Sequence, residues 1–130
     1  MHRILGLVLV SVLLLAAAPA FAAKASQMWK CEIDGEVSEE EVIAMGEAWA
    51  EAAKKVKGGE NLKFYLRWPV AVNAMGEFDV FLELVFPTFE DWGKFWDNYS
   101  GSAAAKLEDK HADQGVFCPA SAVWEIEALE

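Results

Sequence analysis

The sequence predicts an α+β domain whose elements follow the order strand, helix, strand, strand, helix, strand. Large apolar residues recur at every second position in four stretches, which is the period of a strand with one buried face. Between them, two longer stretches carry apolar residues at three- and four-residue steps, as in a helix with one buried face. Prolines, glycines and helix-capping residues separate these stretches. A four-stranded sheet with helices on one face is therefore the expected architecture.

Residues 77–99 predict one strand that leads directly into one helix. The alternating apolar residues of the strand are Phe78, Val80, Leu82, Leu84 and Phe86. Pro87 ends the strand because proline has no N–H for a ladder, and Thr88 is the expected helix N-cap. The helix then carries an aromatic stripe, formed by Phe89, Trp92, Phe95, Trp96 and Tyr99. We expect this stripe to pack against the sheet.

The first strand is predicted at 28–34 and the first helix begins after Ser38, which forms a capping box with Glu41. The buried stripe of that helix is Val42, Met45, Trp49, Ala52 or Ala53, and Val56. Three lysines are expected in its last turn: Lys54, Lys55 and Lys57. Two glycines at 58–59 end the helix.

The second and fourth strands each contain a proline. The second, at 62–72, contains Pro69, and the fourth, at 116–129, contains Pro119. Because proline removes a ladder hydrogen bond, both strands are expected at the edges of the sheet. Between the aromatic helix and the last strand, residues 103–113 predict a further helical piece that Ser102 caps.

The first 22 residues have the pattern of a signal peptide. Arg3 supplies a short basic region, residues 4–18 are apolar, and Ala20 and Ala22 are small residues at the positions that signal peptidase reads. Cleavage is expected after Ala22, with 18–20 as the second choice, which leaves a single domain at 23–130. An uncleaved N-terminal anchor is the alternative. The protein is therefore predicted to be exported, to a periplasm or outside the cell.

The chain is acidic, with a formal net charge of −10. Such a charge disfavours binding to nucleic acid or, once the signal is removed, to anionic membranes. Only His111 would remain as a histidine after cleavage, which excludes zinc or haem sites built from several histidines. We expect neither a metal nor another cofactor, and we interpret His111, which lies among charged residues, as a solvated helix residue.

The βαββαβ order resembles the ferredoxin-like split βαβ arrangement. Apolar residues also lie on the phase opposite the main apolar set, namely Tyr65, Phe81, Val85 and Val123. Together with the aromatic helix, this second apolar face resembles the dimeric α+β barrel group, which includes antibiotic-biosynthesis-type monooxygenases and haem-handling proteins. The resemblance implies an antiparallel sheet of order 4-1-3-2 and a homodimer in which two sheets pack face to face.

Two cysteines, Cys31 and Cys118, occur in the predicted mature chain, and an even pair in an exported domain favours a disulfide. The strand order implied by the resemblance makes the first and last strands neighbours. Cys31 shares the phase of Trp29 and Ile33, and Cys118 that of Trp124 and Ile126, so both thiols could meet on one face.

No catalytic motif is present in the sequence. Tryptophans could line a pocket for a flat apolar ligand between sheet and helices, with Tyr65 and Arg67 orienting an anionic group; the tryptophans singled out are Trp68, Trp92 and Trp96. Because polar residues suited to catalysis are sparse, we favour a non-catalytic ligand-binding or interaction module. The alternative is a cofactor-independent, monooxygenase-like enzyme that acts on an aromatic or quinone-like substrate. An open cleft with convergent polar groups would favour the enzyme.

Overall fold

The computed structural model describes residues 23–71 and 79–129. The predicted signal peptide, the predicted turn at 73–76 and the beginning of the third predicted strand at Phe78 lie outside these residues. In chain order the elements are β1 (Lys24–Ile33), α1 (Glu39–Ala53), β2 (Lys63–Arg67), β3 (Val80–Phe86), α2 (Phe89–Tyr99), α3 (Ala103–Asp113) and β4 (Val116–Ile126). The predicted α+β order is confirmed.

The strands form one antiparallel sheet in the order β2-β3-β1-β4. This is the expected order 4-1-3-2 read from the other edge. Both proline-containing segments are at the edges, as predicted: Pro119 lies within β4, whereas Pro69 follows the end of β2. The helices cover the face of the sheet that carries Ala25, Leu84 and Phe86, all of them fully buried.

The helix starts also agree with the sequence. Ser38 and Glu41 form the capping box, with the Ser38 N–H donating to Glu41 Oε2 at 2.8 Å. The Thr88 hydroxyl accepts from the Asp91 N–H at 3.0 Å, and the Ser102 hydroxyl accepts from the Ala105 N–H at 3.1 Å. Each cap provides an acceptor for an N–H that has no partner within its helix.

The end of α1 differs from the prediction, because the helix stops at Ala53 and its last turn contains no basic residue. The chain tightens there into three-residue turns, in which the Lys55 and Val56 N–H groups donate to the carbonyls of Ala52 and Ala53. Gly58 follows with a φ of +93°, and a Cβ there would lie 2.5 Å from backbone atoms of α2. Only glycine permits this close approach of the two segments.

An irregularity in β4 changes which of its residues face the helices. Lys30 pairs with Ala120 but Glu32 pairs with Phe117, so β4 inserts one extra residue opposite Cys31. Cys118 therefore lies on the helix-covered face with Cys31. The expectation that Trp124 and Ile126 share this face is wrong, because they pair with Ser26 and Lys24 on the opposite face.

The same irregularity moves Val123 to the other face. Val123 pairs with Gln27, whose side chain contacts α2, so Val123 is on the helix-covered side. Our expectation that Val123 belongs to the second apolar face is therefore wrong. We call the face without helices the outer face. Its apolar members among the described residues include Met28, Tyr65, Phe81, Val85, Phe117, Ala120, Ala122, Trp124 and Ile126.

Candidate functional site

A cavity of about 240 Å³ lies between the sheet and the three helices. Its walls are mainly apolar and its floor is the helix-covered face of the sheet. The principal lining residues from the strands are Trp29, Phe64, Leu66, Val80, Leu82 and Phe117, and those from the helices are Val42, Met45, Trp49, Trp96, Tyr99, Glu108, Asp109 and His111. The Cys31–Cys118 disulfide also contacts the cavity.

The polar end of the cavity is organised around the hydroxyl of Tyr99. The indole N–H of Trp49, in α1, donates to this hydroxyl at 2.9 Å. The hydroxyl in turn donates to Glu108 Oε2, in α3, at 2.6 Å. One phenol from α2 therefore joins all three helices, and it provides an acceptor for the N–H of the buried Trp49.

Burial changes the acid–base properties of two groups at this end. The pKa of Tyr99 is raised well above its usual value, first by burial and then by the hydrogen bond to Glu108, so the hydroxyl remains a donor at physiological pH. Burial also lowers the pKa of His111, and Lys110 adds to the effect, which favours a neutral imidazole. A neutral imidazole can accept or donate a proton.

His111 is half-buried on the cavity wall, so our interpretation of it as a solvated helix residue is wrong. Ala104, Glu108 and His111 follow one another at helical steps of four and three residues along α3. Ala104 is fully buried in the hydrophobic core, so its face of the helix is directed to the interior. The sequence held no such signal, because the three alanines at 103–105 do not show which face of the helix is buried.

The tryptophans singled out in the sequence differ in position. Trp96 lines the cavity, while Trp92 and Trp68 are half-buried and are not among the lining residues. The indole N–H groups of Trp92 and Trp96 both donate to Gln27 Oε1, each at 2.8 Å. Gln27 is buried, so these two bonds satisfy its carbonyl oxygen and fix the two rings against β1.

Tyr65 and Arg67 do not line the cavity, because both lie on the outer face of the sheet. Arg67 forms an ion pair with Glu83, and its Nε donates to Glu83 Oε2 at 2.6 Å. The Ser26 hydroxyl donates to the other carboxylate oxygen, Oε1, also at 2.6 Å. The Arg67 side chain thus compensates a buried carboxylate at the centre of the outer face, and it is separated from the cavity by the sheet.

The outer face has a second depression, between β1, β3 and β4. Its lining residues are Met28, Lys30, Phe81, Ala120, Ser121, Ala122 and Trp124. Trp124 is 57% exposed there, and Tyr65 and Ile126 are also exposed on this face. A group of large apolar side chains open to solvent on one sheet face is typical of a surface that another protein covers.

Within residues 23–71 and 79–129, no cluster of three or more His, Cys, Asp or Glu side chains is placed to hold a metal ion. In the same residues, no helix is both long enough and apolar enough to cross a membrane.

The fold is ferredoxin-like, and the resemblance inferred from the sequence is confirmed at the level of fold. The hydroxynitrile lyase of Passiflora edulis is 9% identical and has a TM-score of 0.56, with 85% of this chain and 98% of that chain covered. The Arabidopsis thaliana protein At3g17210 is 13% identical with a TM-score of 0.53, covering 83% and 96%.

A dimeric ferredoxin-like protein of unknown function from Thermobifida fusca is 9% identical with a TM-score of 0.50, covering 82% of this chain and 92% of that one. No protein-family model matches the chain, and no curated protein matches it. At these identities the likeness shows the fold, and the function has to be argued from the site.

Proposed function

We propose that the protein is an exported homodimer that binds a small, largely apolar ligand in the cavity between its sheet and its helices. The observation that carries the proposal is the cavity itself, with its volume of about 240 Å³ and its aromatic and aliphatic walls. Protein interiors rarely leave voids larger than a water molecule. A space of this size, with a few polar groups at one end, has the composition of a small-molecule site.

The residues of the cavity walls favour an apolar ligand. Trp29, Trp49, Phe64 and Trp96 offer flat apolar surfaces, and water held against such surfaces is released when an apolar group replaces it. The volume lies somewhat below the roughly 300–1,000 Å³ of sites for drug-sized molecules. A ligand with a single ring or a short aliphatic chain is therefore the appropriate size.

Dimerisation through the outer face is supported by its exposed aromatic side chains and by the dimeric state of the similar T. fusca protein. Export is supported by the signal-like pattern of residues 1–22 and by the disulfide, which is a bond of oxidising compartments.

An enzyme is the second candidate, because the polar groups at the cavity are more numerous than the sequence suggested. His111 is a neutral acid–base group that lines the cavity, and Glu108, which the Tyr99 hydroxyl fixes, is a carboxylate at the same cavity. These are the elements of general acid–base catalysis. A cofactor-independent enzyme acting on an aromatic or quinone-like compound would use the same cavity for its substrate.

Two alanines of α3 provide a matched test of binding. Ala112 lines the cavity and is exposed, so Ala112→Trp places an indole at the opening; Ala103 is also exposed on α3 and does not line the cavity. Titration calorimetry with 2-phenylethanol should detect binding to the wild type and to Ala103→Trp, and no binding to Ala112→Trp. Equal binding to both variants would show that the ligand occupies another place.

Mass spectrometry of the ligand recovered from the complex separates the two candidates. Recovery of unchanged ligand from the wild type supports a binding protein. Conversion to a product that His111→Ala abolishes, while Ala112→Trp prevents binding altogether, would establish the enzyme instead.

A further inference from the structure

We propose that the ligand is a small organic cation, an amine on an aromatic or short aliphatic body, and that Glu108 and Asp109 receive its ammonium group at the mouth of the cavity. The inference depends on the proposed binding function and specifies the chemical class of its ligand.

The charged residues that line the cavity are acidic. Glu108 and Asp109 are its carboxylate-bearing wall residues, and no lysine or arginine of the described chain is among the side chains that line it. His111 adds no positive charge at neutral pH, since burial lowers its pKa. An apolar cavity with carboxylates at one end repels an anion and attracts a cation.

The Glu108 carboxylate is exposed to solvent, and one of its two oxygens is fixed by a hydrogen bond. Its Oε2 accepts the Tyr99 hydroxyl at 2.6 Å, and Tyr99 is fixed in turn by Trp49 at 2.9 Å. Within the described residues Oε1 forms no hydrogen bond or ion pair, and because Glu108 is exposed this oxygen is available to a ligand. An ammonium group that donates to Oε1 would form a charge-assisted hydrogen bond, the stronger kind.

The aromatic walls of the cavity also favour a small organic cation. Trp29, Trp96 and Tyr99 all line the cavity. The ring centroids of Trp29 and Trp96 lie 5.9 Å apart and those of Trp96 and Tyr99 lie 4.8 Å apart, so these aromatic rings are grouped at one wall. Aromatic faces attract a cation within about 6 Å of the ring centroid. They also accept the apolar body of an amine, so the acidic end and the aromatic walls favour one and the same molecule.

Three probes of similar size test the proposal by titration calorimetry: phenethylamine, the neutral 2-phenylethanol and the anionic phenylacetate. The amine should bind tightest and phenylacetate weakest. Glu108→Gln keeps an oxygen that can accept from Tyr99 but removes the charge, and it should weaken amine binding about tenfold. Binding of the alcohol to the same variant should change by less than about twofold.

Asp113→Asn is the matched control, because Asp113 is an exposed carboxylate of α3 that does not line the cavity. It should leave the affinity for the amine unchanged. Equal weakening by Glu108→Gln and Asp113→Asn would overturn the role of Glu108, because the effect would then reflect net charge alone.

The probes also separate the inference from the function on which it depends. Equal affinity of the wild type for the amine and the alcohol would overturn the cation preference and leave the binding function in place. Binding of none of the three compounds would overturn both.

Discussion

The hydroxyl of Tyr99 donates a hydrogen bond of 2.6 Å to the carboxylate of Glu108, and this contact joins α2 to α3 across the turn that contains Ser102. Trp49 extends the connection to α1. The polar end of the cavity thus depends on a buried phenol whose hydroxyl donates to Glu108 and accepts from Trp49. Any change at Tyr99 should therefore affect both the packing of the helices and the position of Glu108.

Tyr99 should weaken the fold at alkaline pH. Its pKa is raised in the folded protein by burial and by Glu108, whereas an unfolded tyrosine ionises near pH 10. Below about pH 10 the phenol is protonated in both states and its contribution to stability is complete. As the pH rises further, the unfolded state ionises first, so the free energy of unfolding should fall.

Urea unfolding of Tyr65→Phe, in which Tyr99 is the remaining tyrosine, should show this decline. The double variant Tyr65→Phe/Tyr99→Phe should be less stable by about 1–2 kcal/mol at pH 8, from the loss of one buried hydrogen-bonding group. The difference between the two proteins should shrink above about pH 10. A difference that stays constant up to pH 11 would contradict the raised pKa.

The sequence predicted the order of the elements and the three helix caps, because both depend on local chemistry that neighbouring residues display. The strand order was implied by the ferredoxin-like resemblance and agreed with the prolines of the two predicted edge strands. Ser38 with Glu41, Thr88 and Ser102 all cap as expected. The end of α1 was not predictable in the same way. The position at which α1 ends is tied to the close packing of Gly58 against α2, and that contact joins segments that are distant in the sequence.

The site was predicted less well, and one extra residue in β4 explains much of the difference. Alternation along a strand assigns faces correctly only while the register is regular. The irregularity opposite Cys31 places Cys118 among the cavity residues and turns Trp124 to the outer face. Tyr65 and Arg67 were predicted to orient an anionic group of a ligand, but pairing with β3 places Arg67 against Glu83 instead.

Trp124→Glu should disrupt the proposed dimer. Trp124 is 57% exposed in the single chain, so the substitution should affect folding little, whereas an unpaired carboxylate inside an interface costs several kcal/mol. Sedimentation at micromolar concentration should give twice the chain mass for the wild type and the single mass for the variant. Phe89→Glu, at an aromatic residue 40% exposed on α2, is the control that should remain dimeric. A wild-type protein that is monomeric at all concentrations would exclude the outer-face dimer.

Processing should occur after Ala22. The strand β1 begins at Lys24 and pairs from that residue onward with β4, so cleavage there leaves the whole strand in the mature protein. The intact mass of protein recovered from an exporting host should correspond to a chain that begins at Ala23. Ala22→Arg should block this cleavage, because signal peptidase requires a small residue at that position, while Ala23→Ser should not. An unchanged wild-type chain that retains Met1 would favour the uncleaved anchor.

The Cys31–Cys118 disulfide should provide a large part of the stability. It joins β1 to β4 across a separation of 87 residues, and its Cα atoms lie 4.0 Å apart beside the irregularity in β4. A loop of that length corresponds to roughly 4–5 kcal/mol in the chain-entropy model, a substantial share of the stability of a small domain. The double variant Cys31→Ala/Cys118→Ala should therefore melt about 15–30 °C lower than the wild type. Alanine is the appropriate replacement because Cys31 is 1% exposed and a serine there would bury a hydroxyl.

Reductant should lower the melting temperature of the wild type towards that of the variant and leave the variant unchanged. Two titratable thiols in the unfolded, unreduced wild type would show that the bond does not form in solution.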